Sequence, residues 1–145
     1  MLLEIVNPAE WMPRIRPMLE ANWHETGFSF PFDPDIKAYD ALFRAGLLFA
    51  VRAEFDGETV GYCTVMVSGH AHNPSVKFAA NDALYVSPEF RNGLTAGRLI
   101  VKAEKEARAR GASWFSWHCR AGTSLDEILK ARGYQPADIV VTKEL

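Results

Sequence analysis

Residues 84–100, LYVSPEFRNGLTAGRLI, decide the fold of this chain. They read as a buried strand, a short turn, a loop containing Arg91 and Gly93, and the first turn of an amphipathic helix. Backbone N–H groups at the start of such a helix have no partner within it, and this helix end carries a partial positive charge. The stretch therefore predicts an anion site, with phosphate as the first candidate.

Length and composition indicate a single soluble domain over residues 1–145. The chain is 48% apolar, which is enough for a full-sized core, and its net charge is −2. There is no basic bias, so we expect no nucleic acid partner, although a local basic patch stays open. The N-terminus lacks the basic start of a signal peptide, and no apolar run approaches the roughly 20 residues that span a bilayer. We therefore expect no membrane partner.

The two cysteines, Cys63 and Cys119, lie in apolar stretches that resemble strands. We expect small buried thiols rather than a disulfide, and no metal-ligand spacing accompanies them. A reduced, cytoplasmic setting follows from this expectation.

Turn and capping signals divide the chain into ten elements. Asn7-Pro8 predicts a helix start, Pro13 and Pro17 predict its interruption, and Asp56-Gly57 predicts a hairpin. Asp33 or Asp35 caps the second helix. The predicted strands are 2–6, 47–54, 59–68, 76–86, 112–120 and 139–143, with a loop at 69–75. The first predicted helix begins near residue 8 or residue 13, and the second ends at Gly46. The third follows the Arg91 loop and ends at Gly111, and the fourth covers 124–132. The order β-α-α-β-β-β-α-β-α-β predicts an α/β fold with a mixed sheet and helices on both faces.

This order and the Arg91 loop together resemble the GCN5-related N-acetyltransferase (GNAT) superfamily over nearly the whole chain. The family's loop pattern is Arg or Gln, two residues, Gly, one residue, and Gly or Ala. Arg91 matches its first position and Ala96 its last, whereas Leu94 stands where the first glycine is usual. The ending from Gly133-Tyr134 to Leu145 is similar to a subgroup often carried by phages and prophages.

The resemblance implies that the loop holds the pyrophosphate of acetyl-coenzyme A. The lack of metal-ligand spacing in the sequence predicts no metal. Free N–H groups and close backbone approach suit this role, and Arg91 and Arg98 could add charge-assisted bonds. The expected donor-binding residues are Leu84, Tyr85, Val86, Arg91, Asn92, Gly93, Leu94, Thr95, Ala96, Gly97 and Arg98. An ordinary strand-to-helix connection with two solvated arginines is the alternative.

Acetyl transfer to an amine needs a proton acceptor and a donor to the oxyanion. The resemblance implies that a backbone N–H near Leu84 to Val86 faces the thioester carbonyl. Asp82 is the expected base, because it lies two residues before Leu84 and alternation puts both on one strand face. A strand-edge aspartate that accepts local hydrogen bonds is the alternative.

The family's general acid is a tyrosine four residues before the glycine that ends the last helix, and here that position is Leu129. Tyr85 is the substitute that we retain as a catalytic candidate. Tyr134, His118 and Cys119 are further substitutes on paper. A thiolate can also leave unassisted, since a thiol has a moderate pKa.

Three other features have simpler interpretations. His70 and His72 could share a metal, but no third ligand is nearby. Residues 114–117 are aromatic on both faces, which suits a covered central strand better than a base-stacking surface. The loop Phe28–Phe32 could either form an apolar acceptor pocket or cover the core.

The sequence thus predicts an acetyl-CoA-dependent N-acetyltransferase that acts by direct attack of a primary amine. The acceptor stays open between a small amine, an antibiotic, a protein N-terminus and a lysine, and a homodimer stays open as well. The alternative is a non-catalytic member of the fold that binds CoA or a protein partner. Leu94 and Leu129 favour that alternative.

Overall fold

The computed structural model describes residues 1–145 and contains one five-stranded sheet in the order β1-β2-β3-β4-β5. The first three neighbouring pairs are antiparallel, and β4 and β5 are parallel. The strands are β1 (Leu2–Val6), β2 (Leu48–Phe55), β3 (Glu58–His70), β4 (Asn73–Val86) and β5 (Ala112–Ser116). This mixed sheet confirms the predicted fold class.

Five α-helices flank the sheet, and none of them combines the length and the apolar character that a membrane crossing needs. Short 3-10 turns occupy Met12–Ile15 and Pro88–Phe90. The α-helices are α1 (Pro8–Trp11), α2 (Arg16–Thr26), α3 (Ile36–Arg44), α4 (Thr95–Ala109) and α5 (Ser124–Ala131).

Local signals set most of the element boundaries. The Asn7 side chain accepts a hydrogen bond from Ala9 N–H and so caps α1, while the prolines at 13 and 17 break the helical path into α1, a 3-10 turn and α2. Asp35, rather than Asp33, caps α3 through Ala38 N–H. Asp56 and Gly57 both have positive φ, as the tight β2–β3 turn requires.

Each face of the sheet packs against its own set of helices. On one face, Leu99, Ala103 and Ala107 of α4 pack against buried residues of β2 and β3, and we call it the α4 face. On the other face, the rings of Trp11 and Tyr62 pack within a smaller core under α1 and α2, and we call it the α1–α3 face. Helices therefore cover both faces, as predicted.

The strands β4 and β5 separate after Ala80 and Ser116, where their pairing ends. The buried Asn81 side chain bridges this point, since its Nδ2 donates to His118 O (3.1 Å) and its Oδ1 accepts from His118 N–H (2.6 Å). The bridge removes residues 117–120 from the ladder, so the predicted strand 112–120 is five residues long. Beyond the bridge no strand pairs with this side of β4, and we call the unpaired stretch between β4 and the chain after β5 the gap.

Replacement of Asn81 by Ala is expected to lower the free energy of unfolding by about 2 kcal/mol, because two hydrogen bonds at a buried position are lost. Urea unfolding measures the change. Asn73→Ala, at the exposed first residue of β4, is the control and is expected to cost well under 1 kcal/mol. An unchanged midpoint for Asn81→Ala would contradict the bridging role.

Two further predicted boundaries are wrong. Residues 139–143 form no strand, because β-branched residues need a ladder partner and here Ile139, Val140 and Val141 are exposed. The predicted loop 69–75 is a tight connection between β3 and β4. Gly69 belongs to the hairpin, because a Cβ there would lie 2.9 Å from Pro74 O, and the glycine permits this close approach.

Both cysteines are free, but only Cys63 is buried, whereas Cys119 is exposed. Cys119 follows the Asn81 bridge and therefore lies outside the strand in which it was expected. Burial raises the pKa of the Cys63 thiol, so this thiol stays protonated and inert.

Candidate active site

The loop before α4 presents unpaired backbone donors. Phe90 N–H and Arg91 N–H donate to Ser87 O and Pro88 O, respectively, but none of the six N–H groups from residues 92 to 97 donates a hydrogen bond within the chain. The helix that follows has 15 residues and no side-chain cap. Several free donors at the positive end of a long helix form a site suited to an anion.

The side chains at this site leave the donors accessible. Leu94, the departure from the family pattern, is 73% exposed and points away from the core. Thr95 is buried and anchors the first turn of α4. A Cβ on Gly97 would meet no atom within 4 Å, so the space around it is open. Leu94 therefore packs little against the rest of the chain.

Arg91 contacts protein groups rather than open solvent. Its Nε donates to Val86 O (2.8 Å), its Nη2 lies 2.6 Å from Glu25 Oε1, and its guanidinium lies 5.2 Å from the centre of the Tyr85 ring. These contacts tie the loop to the C-terminal end of α2. Arg98 forms no ion pair and is exposed, so it is the available cation near the donors.

The open edge of β4 presents further backbone donors. Ser87 N–H donates to Val60 O (2.9 Å), which fixes the alternation of the antiparallel β3–β4 ladder. Tyr85 therefore hydrogen-bonds toward β3, whereas the N–H groups of Leu84 and Val86 point away from it. These two groups face the gap beyond the Asn81 bridge, beside the Arg91 loop.

Asp82 is the extra residue of a β-bulge in β4. Thr64 pairs with Ala83 and Val65 with Asn81, so Asp82 has no partner on β3. The bulge reverses the alternation of the strand, and Leu84 packs on the α4 face while Asp82 bonds side chains of the opposite face. The prediction that Asp82 and Leu84 share a face is therefore wrong.

The bulge places Asp82 among hydroxyl groups of the α1–α3 face. Its Oδ2 accepts from Tyr39 Oη (2.7 Å) and from Thr64 Oγ1 (3.0 Å), while its Oδ1 accepts no hydrogen bond from the chain. Nearby, Asn22 Nδ2 donates to Tyr62 Oη (2.7 Å). Tyr39 and Thr64 were not among the predicted site residues, since only the fold brings α3 and β3 to the bulge.

Tyr85, the other catalytic candidate, lies on the same face as Asp82. Its side chain is buried, and its ring centre lies 6.1 Å from that of Tyr62. Arg91 covers the ring from the side of the loop. Tyr85 thus connects the loop at residues 91–94, which we call the donor loop, with the core of the α1–α3 face.

The other candidate acids lie elsewhere. Leu129 is buried within the domain and offers no proton. Tyr134 Oη donates to Glu104 (3.0 Å), and burial together with that contact raises the pKa of Tyr134 to about 12. The side chain of His118 is exposed at the Asn81 bridge, and Cys119 is exposed directly after it.

His70 and His72 lie together at the turn between β3 and β4. The rings of His70 and His72 lie 5.5 Å apart, and His70 Nδ1 accepts from His72 N–H within the turn.

Trp23 holds the aromatic loop through Nε1–H to Phe30 O (3.0 Å), with Phe28 and Phe30 more than half exposed. Phe32 packs toward the α1–α3 core. Phe32 therefore covers the core, while the exposed Phe28 and Phe30 leave an acceptor pocket open as an interpretation. Trp114 is 64% exposed, so residues 114–117 are not a fully covered strand as expected.

Solved structures share this architecture. The ribosomal-protein-alanine N-acetyltransferase from Brucella melitensis biovar Abortus 2308 is 16% identical, with a TM-score of 0.72 over 100% of this chain and 99% of that one. A putative acetyltransferase from Pyrococcus furiosus is 20% identical, with a TM-score of 0.71 over 99% and 100%. The aminoglycoside N-acetyltransferase AAC(6')-Iy, bound to the bisubstrate analogue CoA-S-monomethyl-acetylneamine, is 16% identical, with a TM-score of 0.75 over 100% and 99%.

At these identities the likeness establishes the fold alone, and no curated protein sequence matches the chain significantly. The family model described as the acetyltransferase (GNAT) family matches residues 15–126, which include α2, the Asp82 bulge, the donor loop and α4. The chain belongs to the acetyltransferase (GNAT) family.

Proposed function

We propose that this protein is an N-acetyltransferase that transfers the acetyl group of acetyl-CoA to a primary amine. The observation that carries the proposal is the row of six unpaired N–H groups at the start of α4, next to the gap between β4 and β5. A pyrophosphate carries about two negative charges and matches such a row of donors. The CoA-bound structures of AAC(6')-Iy have the same fold.

The residues around the gap suit direct transfer. The amine nitrogen attacks the thioester carbonyl, the C–S bond breaks, and the thiolate leaves. Leu84 or Val86 supplies the N–H that stabilises the oxyanion, since both groups point into the gap. Asp82 takes the proton of the amine through Oδ1, the oxygen that has no partner in the chain.

We assign no general acid. Leu129 is buried, Tyr134 keeps its proton, and Tyr85 stands between Arg91 and the core. The thiolate leaves without assistance in this scheme, because its conjugate acid is much stronger than that of an alkoxide. Tyr85 contributes to the site by separating the donor loop from the α1–α3 face, on which the acceptor would bind.

Two measurements test the proposal. A thermal-shift titration with acetyl-CoA is expected to raise the melting temperature, and release of free CoA is expected with at least one member of an amine panel. Small amines, aminoglycosides, N-terminal peptides and lysine peptides belong in that panel. Stabilisation without CoA release would favour a non-catalytic CoA-binding protein, and the absence of stabilisation at millimolar ligand would contradict both functions.

The setting of the reaction is also a proposal. The free thiols of Cys63 and Cys119 suit a reducing compartment, and we propose a cytoplasmic location. Similarity to the subgroup often carried by phages rests on residues 133–145 and stays a prediction.

Replacement of Glu25 by Gln is expected to tighten acetyl-CoA binding about two- to fivefold at low salt. The change removes the carboxylate that neutralises Arg91, 2.6 Å away, and leaves an uncompensated positive charge at the loop. Both partners are partly exposed, so the free energy of unfolding should change by less than about 1 kcal/mol.

Isothermal titration at two salt concentrations measures this effect, which should fade at high salt because it is electrostatic. Glu20→Gln is the matched control, since Glu20 lies on the same helix and pairs with Arg16 instead. Weaker binding by the Glu25 variant would show that the ion pair orders the loop more than it neutralises it.

A further inference from the structure

Asp82 is held through one of its two oxygens. Tyr39 and Thr64 both donate to Oδ2, and no group of the chain donates to Oδ1. A carboxylate fixed in this way cannot rotate without breaking two hydrogen bonds. The orientation of the free oxygen is therefore set by two hydroxyl groups rather than by the strand alone.

The two hydroxyl groups differ in origin. Thr64 belongs to β3 and is buried beside the bulge. Tyr39 comes from α3, 43 residues away along the chain, and is the contact between that helix and Asp82. Asp40, the next residue of α3, accepts from Asn7 Nδ2 (2.9 Å), and this contact fixes the helix against the N-terminal cap of α1. The hydroxyl of Tyr39 is thus presented by an anchored element.

The chemistry of Tyr39 suits a permanent donor. Burial, together with the neighbouring Asp82 charge, raises the pKa of the Tyr39 hydroxyl above its usual value. The hydroxyl therefore keeps its proton throughout the pH range in which an amine is acetylated, and it donates to the carboxylate at every such pH.

We propose that Tyr39 is a positioning residue that fixes Asp82 Oδ2, together with Thr64, and thereby directs Oδ1 toward the acceptor amine. This role rests on the proposed function, because it presupposes that Asp82 accepts the proton. A general base must lie within hydrogen-bond reach of the proton that it takes, so loss of orientation lowers the rate of transfer rather than binding of the donor substrate.

A double-mutant cycle with Asp82 tests the proposal. Tyr39→Phe removes one hydroxyl and keeps the ring, and kcat is expected to fall about tenfold while KM for acetyl-CoA is unchanged. In the Asp82→Asn background the same change is expected to have no further effect on kcat, because the base is already lost. A tyrosine that merely anchored α3 would cost the same factor in both backgrounds.

The control is Tyr134→Phe, which removes a hydroxyl that also donates to a carboxylate, Glu104, outside the site. It is expected to leave kcat unchanged. If Tyr39→Phe does not fold, as judged by its thermal melt, Thr64→Val removes the other donor to Oδ2 and enters the same cycle. Coupling of Thr64 to Asp82 would then support fixation of this oxygen, and additivity would overturn it.

The outcomes separate the two proposals. Full kcat in Tyr39→Phe, with a low kcat in Asp82→Asn, overturns the positioning role and leaves the base in place. Equal losses in both backgrounds also overturn it. Full kcat in Asp82→Asn overturns the assigned base and the positioning role together.

Discussion

Replacement of Asp82 by Asn is expected to lower kcat/KM at neutral pH by about 100-fold or more. The physical reason is that the amide cannot take up a proton, whereas the amine must lose one to form the product. A positioned general base contributes about 10²- to 10⁴-fold, so the effect should exceed that of any other single change on the acceptor side.

The substitution is chosen because it preserves the structure of the bulge. The amide oxygen of Asn has two lone pairs and can accept from both Tyr39 and Thr64, as Asp82 Oδ2 does. The melting temperature should therefore stay close to that of the wild type, and so should acetyl-CoA affinity, since Asp82 lies outside the donor loop. A loss of activity can then be assigned to the chemistry of the side chain.

Steady-state CoA release with the best acceptor of the panel measures the effect, over a range of pH. Asp33→Asn is the matched control, because Asp33 is an exposed aspartate on the same side of the sheet that makes no hydrogen bond. The control should retain wild-type kcat/KM. If Asp82→Asn retained it as well at every pH, another group would have to accept the proton.

The elements that the sequence predicts well are those whose ends are set by neighbouring residues. Asn7 and Asp35 cap their helices through side-chain bonds to residues two and three positions away. The hairpin is set locally in the same way, because Asp56 and Gly57 adopt the positive φ that its turn requires. The strand, loop and helix around Arg91 follow the same rule, so the candidate donor site was visible in the sequence.

The acceptor side was less predictable, because its geometry depends on distant pairing. The bulge at Asp82 is created by the register of β4 on β3, and no turn or glycine in the strand announces it. Once the register is known, the face of Asp82 follows from it. The sequence alone suggested simple alternation, which put this side chain on the wrong face.

Contacts over long sequence separations complete the picture. Tyr39 reaches Asp82 across 43 residues, and Asn81 reaches His118 across 37. Neither pair has a spacing that a motif could encode. The C-terminal run Ile139–Val141 shows that local propensity can also mislead. Its residues favour strands strongly, but they form none because no neighbouring strand pairs with them.

Replacement of Leu94 by Asp is expected to weaken acetyl-CoA binding by at least about tenfold, which corresponds to about 1.4 kcal/mol. The new carboxylate would lie at the start of α4, among the unpaired N–H groups of residues 92–97. It would repel the pyrophosphate and compete for the same donors. In the wild type, Leu94 is exposed and neutral, and it leaves those donors to the ligand.

The same change should not damage the fold, which makes the prediction specific. Leu94 is 73% exposed, so its replacement removes almost no packing. A negative charge at the N-terminus of a 15-residue helix interacts favourably with the helix dipole, and we expect the free energy of unfolding to stay the same or rise by up to about 1 kcal/mol. Stability and donor affinity would then change in opposite directions.

Leu94→Asn provides the matched control, since it introduces a polar side chain of the same shape without the charge. It is expected to keep acetyl-CoA affinity within about threefold of the wild type, because a neutral amide can cap the helix as Asp does but does not repel the pyrophosphate. Titration calorimetry and urea unfolding of both variants measure the two effects. If Leu94→Asp bound acetyl-CoA as tightly as the wild type, the pyrophosphate would have to lie away from the start of α4, and the donor site would have to be sought along the edge of β4.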